Sequence, residues 1–139
     1  MSVALKSGDE VLDNVGLRAH WLLRIAVASV FIYMGVDKFL GGGIQMFAQM
    51  MDLPSLIALL VALAEIGAGL FVIAGAFSND WISRLGAAMA IPVLLGAIVM
   101  EHWGQWHFMA TPTHPLGGMM FQVTLLLVAL YILIRGNRF

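Results

Sequence analysis

One carboxylate inside an apolar segment constrains the fold of this chain more than any other feature of its sequence. Residues 55–76 are apolar except for Ser55 and for Glu65, which lies near the middle of the segment. A helix of about 22 residues is about 33 Å long, so it can span a bilayer core of about 30 Å. A charge at the centre of such a helix costs roughly 2.5–3.5 kcal/mol. The sequence therefore predicts that Glu65 faces polar partners rather than lipid.

The composition also predicts a membrane protein. Hydrophobic residues make up 61% of the 139-residue chain and charged residues 11%, whereas soluble domains average about 45–50% and about 25%. The net charge of −1 gives no basis for nucleic-acid binding. Because the chain contains 0 cysteines, disulfides and thiolate metal sites within it are excluded.

Four apolar segments predict an all-α integral membrane four-helix bundle with up-down-up-down order, formed as a single domain by residues 1–139. The predicted spans are residues 20–40, 55–76, 81–101 and 118–134. A short interfacial helix is predicted over residues 44–53, and residues 102–117 form a polar loop. Near the N-terminus, Val11, Leu12 and Val15 are compatible with either a short interfacial helix or a flexible tail.

The distribution of basic residues predicts the orientation of the bundle. Six of the 7 Lys and Arg residues fall on one side, and they are Lys6, Arg18, Arg24, Arg84, Arg135 and Arg138. Only Lys38 falls on the other side. The positive-inside rule then places both termini in the cytoplasm and residues 44–53 and 102–117 on the outer face of an inner (plasma) membrane.

Counting along the helices brings a set of polar groups to similar depths. Glu65 lies ~15 Å from the outer end of its span and Pro92 lies ~16 Å from the inner end of the next. Tyr33 lies near this depth, Lys38 lies further out, and Gln122 enters from the outer side. We therefore expect Glu65 to reach Tyr33 directly, or Lys38 if that side chain folds inward.

Two interpretations of Glu65 remain open from the residues alone. It either stabilises the bundle as a protonated or hydrogen-bonded group, or binds or relays protons for a ligand in the outer half. Arg24 and Arg84 are predicted to snorkel towards the headgroups.

A metal site is a further alternative. Imidazole and carboxylate groups suit Zn, Cu or Fe, and the candidate ligands are Glu101, His102, His107 and His114. Their spacings match no compact ligand motif, so we predict no metal site.

Several stretches of the chain resemble the DoxX family of small four-helix membrane proteins. They are residues 22–39, Phe47, residues 52–78 with Glu65 and the glycines at 67, 69 and 75, and Arg84 with the third span. The resemblance covers roughly residues 20–135. The turn before Arg84 and the outer loop depart from the family pattern.

The resemblance implies a function, because better-known members of the family are subunits associated with quinone-linked redox complexes. It implies an accessory membrane subunit of a quinone-linked oxidoreductase in a bacterial or archaeal inner membrane, docking a redox partner on its outer face. No intrinsic cofactor is expected, and a quinone is the candidate ligand. Arg24, Lys38 and Glu65 carry over by position, and Tyr33 and Gln122 join them as candidate quinone-binding residues. The alternatives are a purely structural or assembly subunit and a small transporter or metal-handling protein.

Overall fold

The computed structural model describes residues 3–138, with side chains from residue 8 onward, and none of these residues lies in a strand. The helices are α1 (Val3–Arg18), α2 (His20–Asp37), α3 (Gly43–Met51), α4 (Ser55–Phe77), α5 (Asp80–Ala97) and α6 (Met120–Arg135), and a π-helix (Ile98–His102) continues α5. The predicted all-α class is therefore confirmed.

Local sequence explains where the helices begin and end. Gly41 and Gly43 have φ angles of 58° and 72°, in the left-handed region that glycine adopts readily, and they separate α2 from α3. Pro54 precedes α4 in an extended conformation. Asn79 caps α5, since its side chain accepts a hydrogen bond of 3.1 Å from the backbone N–H of Ile82.

Helices α2, α4, α5 and α6 pack side by side around an apolar core. Helix α4 lies between α2 and α5, and α6 packs mainly against α5. Arg24 at the start of α2 contacts Val72 near the end of α4, Ser83 near the start of α5 and Asn137 after α6. Successive helices of the four therefore run in opposite directions. The buried core residues are Val27, Phe31, Ala68, Val72, Ala87, Ala90, Leu94, Leu125, Ala129 and Ile132.

Small residues let these helices approach closely. A Cβ atom added at Gly86 on α5 would lie 2.8 Å from the backbone nitrogen of Val72 and 2.9 Å from the carbonyl oxygen of Ala68. A Cβ at Gly35 on α2 would lie 2.8 Å from the carbonyl oxygen of Ala62. Close backbone contact at small residues is typical of helices packed within lipid.

Within the described residues, three helical stretches are long and apolar enough to cross a membrane, and they are Gly8–Asp37, Ser55–Phe77 and Asp80–His102. The predicted fourth span corresponds to α6, an apolar helix of 16 residues. It begins at Met120 rather than at residue 118, and Gly118 and Met119 belong to the loop, where their N–H groups donate to the carbonyls of His107 and Gln105. Helix α1 covers the stretch predicted as an interfacial helix or a tail, so the helical alternative is confirmed there.

The bundle has two distinct ends. The loop end holds α3, Lys38 and residues 103–119. The clasp end holds Arg24, Ser83 and Asn137, and it is named after the hydrogen bonds among them. The two ends lie at opposite termini of the same helices.

Candidate functional site

Lys38 and Glu65 form a buried ion pair between α2 and α4. The Nζ atom of Lys38 lies 2.8 Å from Oε1 and 3.1 Å from Oε2 of Glu65, and the two side chains are 12% and 2% exposed. The same Nζ lies 3.4 Å from the carbonyl oxygen of Met34 and 4.7 Å from the centre of the Phe47 ring. Of the two partners expected for Glu65, Lys38 is therefore the one found, with its side chain folded inward.

The ion pair lies in the wall of a cavity of about 300 Å³ at the loop end. Its polar lining consists of Asp37, Lys38, Glu65, Glu101 and His102, whereas the rest is apolar and includes Met34, Met50, Met51 and Met100. Small-molecule sites are typically concave and mostly apolar, with a few polar groups, and range from about 300 to 1,000 Å³. This cavity fits that description at its lower limit, so it suits a single ring.

Helix α5 contributes two irregular features to this cavity. Pro92 lines it and lacks the N–H group that would bond the preceding turn. Beyond it the helix continues as the π-helix Ile98–His102, a form often found at functional sites. The depth count placed Pro92 opposite Glu65, and the two residues do line the same cavity.

His102 also lines the cavity, which the sequence did not indicate. Its side chain is buried, and its Nδ1 atom lies 2.8 Å from the carbonyl oxygen of Gly117. Because a carbonyl oxygen only accepts hydrogen bonds, Nδ1 carries the proton. In the neutral form of the ring, the other nitrogen, Nε2, is a hydrogen-bond acceptor. From its residue type alone, His102 was only a candidate metal ligand. It follows Ala97, which lines the same cavity, by five positions, and that spacing is one turn of a π-helix.

The predicted direct contact between Glu65 and Tyr33 is wrong. Tyr33 is 71% exposed and lines a shallow groove with Ser29 and Phe121. Tyr33 precedes Lys38 by five residues, so it points about 140° away around a helix with about 3.6 residues per turn. The depth count carried no information on the direction in which Tyr33 points.

Gln122 does not line the cavity of the ion pair. Its side chain is half-buried in α6, and its Oε1 atom is buried without a hydrogen-bond partner among the described residues. The structure therefore brings Lys38 and Glu65 together but not Tyr33 or Gln122.

The predicted snorkelling of Arg24 is also wrong, because Arg24 is 0% exposed at the clasp end. Its Nη1 atom donates to the carbonyl oxygen of Val72 at 2.6 Å and to Oγ of Ser83 at 2.8 Å. Its Nη2 atom donates to Oδ1 of Asn137 at 2.7 Å, and its Nε atom lies 2.9 Å from Nδ1 of His20. Several acceptors from distant parts of the chain thus replace the lipid headgroups as partners.

Arg24 is also too far from Lys38 to share a small ligand with it. The two residues are fourteen positions apart on α2, which corresponds to about 21 Å at about 1.5 Å per residue. The structure therefore separates Arg24 from the other candidate quinone-binding residues, and it belongs to a structural cluster.

Asn137 completes that cluster, which we name the clasp and define as His20, Arg24, Asp80, Ser83, Arg84 and Asn137. The Oδ1 atom of Asn137 accepts hydrogen bonds from Arg24 and from Ser83 (2.6 Å), and its Nδ2 donates to the carbonyl of Gly75 at 2.9 Å. Its backbone N–H donates to Asp80 at 2.6 Å. Asp80 in turn pairs with Arg84 at 2.7 Å, so Arg84 does not snorkel freely either.

The alternative metal site is not assembled in the part of the chain that the structure describes. No group of three or more His, Cys, Asp or Glu side chains that could hold a metal ion occurs there. His114 is instead 2.6 Å from the carbonyl oxygen of Trp103, and His107 lies 3.4 Å from the side-chain nitrogen of Gln105. These histidines therefore organise the loop.

The fold and the site define a helical membrane protein whose helices enclose a cavity with a buried ion pair. The family model described as DoxX matches residues 19–103, which is more than half of the chain, so the chain belongs to the DoxX family. The match runs from the start of α2 through the π-helix and includes Lys38, Glu65, Pro92 and His102. It ends earlier than the resemblance over residues 20–135 suggested, before α6. No curated protein and no solved structure matches the chain.

Proposed function

We propose that this chain is an accessory membrane subunit of a quinone-linked oxidoreductase and that its loop-end cavity holds a quinone ring. The observation that carries the proposal is the buried Lys38–Glu65 pair in the wall of a mostly apolar cavity of about 300 Å³. A quinone ring needs apolar walls and hydrogen-bond donors for its two carbonyl oxygens. Apolar walls and a buried ammonium group meet those needs together.

Lys38 is the donor in this proposal. An ammonium group has three N–H bonds, and Glu65 and the Met34 carbonyl are its hydrogen-bond acceptors among the described residues. We assign the third N–H bond to a carbonyl oxygen of the ring. Glu65 holds the ammonium in place and balances its charge within the membrane.

His102 supplies a second polar group, which is a hydrogen-bond acceptor where Lys38 is a donor. Its Nδ1–H is fixed on the Gly117 carbonyl, which leaves Nε2 to accept a proton or a hydrogen bond. A bound quinone supplies a two-electron, two-proton couple, and we assign the electron transfer to a partner subunit. The residues of this chain then bind the ring, orient it and exchange protons with it.

The proposed orientation follows from charge. Arg24, Arg84, Arg135 and Arg138 lie at or next to the clasp end, so the positive-inside rule favours that end on the cytoplasmic side. The proposal therefore has α2, α4, α5 and α6 each crossing an inner membrane, with both termini in the cytoplasm. The loop end then faces outward, where a redox partner would dock.

The proposal is tested in the native membrane with Glu65→Gln. After mild detergent extraction, the co-purifying complex is quantified and its quinone-dependent turnover is measured. The amide oxygen of the new Gln side chain can still accept a hydrogen bond from Lys38, so we expect assembly to be retained. Turnover should fall by at least about tenfold, which corresponds to a loss of about 1.4 kcal/mol at the site. Glu10→Gln, an exposed change on α1, is the control. An assembled Glu65→Gln complex with normal turnover would contradict the proposal.

A purely structural or assembly subunit is the second candidate, favoured by the same ion pair because it joins α2 to α4. Gly96→Leu separates the two functions. Gly96 lines the cavity, and a Cβ atom there would meet no atom within 4 Å, so the new side chain has room to enter the cavity. The ion pair stays intact in this variant. Turnover should fall if the cavity holds a quinone and stay normal if the chain serves assembly alone.

A further inference from the structure

A second cavity lies beside the cavity of the ion pair. It measures about 340 Å³, and its lining includes Leu40, residues 41–43 and Met46. It shares four lining residues with the first cavity, namely Asp37, Lys38, Phe47 and Met50. The two cavities are therefore neighbours that run in series from Glu65 to the turn between α2 and α3.

Lys38 and Phe47 line both cavities and lie against each other. The Lys38 ammonium lies 4.7 Å from the centre of the Phe47 ring, within the range of a cation–π contact. Beyond this pair the lining becomes apolar and exposed, since Leu40 and Met46 are each 62% exposed. The second cavity thus leads from the buried ammonium to the apolar surface of the bundle.

The first cavity is small for a membrane quinone. At about 300 Å³ it lies at the lower limit of small-molecule sites, so a ring that fills it leaves no room for a long side chain. An apolar tail must therefore leave the first cavity along an apolar surface. The second cavity provides such a surface next to the residue that binds the ring.

We propose that the ligand is a quinone with a long apolar tail, that the tail runs through the second cavity beneath α3, and that Phe47 positions the ring at the passage. This inference rests on the proposed function, because it assumes that the ring lies at Lys38 and Glu65. It assigns the segment from Leu40 to Met46 to the tail and leaves the ring contacts unchanged.

Met46→Trp tests the route because Met46 lines the second cavity and not the first. Its control is Leu56→Trp, an equally exposed apolar position at the same end of the bundle that lines neither cavity. The probes are two radiolabelled quinones with the same ring, 2,3-dimethoxy-5-methyl-1,4-benzoquinone without a tail and its decyl derivative. Binding to purified protein is measured by equilibrium dialysis in one detergent. Each quinone is compared between variant and wild type, so its partition into the detergent cancels.

We expect Met46→Trp to weaken binding of the decyl quinone by about tenfold, the effect of overfilling a fitted site by about 1.4 kcal/mol. The affinity of Met46→Trp for the tailless quinone should stay within about twofold of that of wild type, and this result would also show that the variant is folded. Leu56→Trp should change neither. If Met46→Trp weakens both quinones equally, or neither, the tail route is wrong although the ring site stands. If wild type binds neither quinone, the proposed function itself fails.

Discussion

Replacing Asn137 with alanine should destabilise the bundle, because this residue near the end of the chain ties three helices together. The change removes the acceptor of Arg24 and Ser83 and the donor to the Gly75 carbonyl. It leaves Arg24 and Ser83 buried with fewer partners. The backbone hydrogen bond from residue 137 to Asp80 does not depend on the side chain and should persist.

The expected loss in the free energy of unfolding follows from the three lost hydrogen bonds. A hydrogen bond to a charged group contributes about 1.5–3 kcal/mol and a neutral one about 0.5–1.5 kcal/mol, which gives a total of about 2.5–6 kcal/mol. Asn137 itself is exposed, so water replaces part of what is lost. We therefore expect the free energy of unfolding to fall by about 2–3 kcal/mol, near the lower limit of that range.

The assay is reversible unfolding in mixed micelles with increasing SDS, followed by circular dichroism. Asn14→Ala on α1 is the matched control, because Asn14 is exposed and makes no hydrogen bond through its side chain among those found in residues 8–138. Asn14→Ala should leave the SDS fraction at the midpoint of unfolding unchanged. If Asn137→Ala unfolds at the same SDS fraction as wild type, the clasp does not stabilise the bundle and the reasoning is refuted.

Two further substitutions test the packing of the helices. Lys38→Met leaves Glu65 buried without its cation and should cost about 3–5 kcal/mol, whereas the double variant Lys38→Met/Glu65→Leu should be close to wild type. An unfolding cycle over the four proteins measures this, and additive effects would contradict a coupled pair. Gly86→Ala should cost about 1–3 kcal/mol, since its Cβ would lie 2.8–2.9 Å from backbone atoms of α4. Gly16→Ala, with no atom within 4 Å of the added Cβ, should be neutral or stabilising, and equal effects at both glycines would refute the packing account.

Lys38 was one of the two partners that the sequence predicted for Glu65, and simple geometry explains why it could be named. An apolar helix fixes the depth of Glu65 by counting, and a lysine has a long side chain that can fold inward to meet a buried carboxylate. The same counting placed Pro92 at the depth of Glu65, and both residues line one cavity. This counting needs only the rise per residue of an α-helix, which varies little between helices.

Tyr33 and Arg24 could not be placed in this way, for two different reasons. The direction of Tyr33 depends on how α2 is rotated against its neighbours, which depth does not determine. Three of the partners of Arg24 lie 48, 59 and 113 residues away in the chain. The sequence does not indicate which distant residues meet Arg24, so the lipid headgroups were the partners expected for it. Packing of α2 against the end of α4 supplied better acceptors.

The central claim is that a quinone ring binds in the cavity beside Lys38 and Glu65, and labelling by an azidoquinone tests it most directly. The purified protein is irradiated with the azidoquinone, digested, and mapped by mass spectrometry. The cavity lining predicts labelled peptides from residues 47–53 and 92–102, and the labelling should be suppressed by excess unlabelled quinone and by Gly96→Leu. Labelling confined to the groove of Tyr33 and Phe121, or insensitive to Gly96→Leu, would contradict the account.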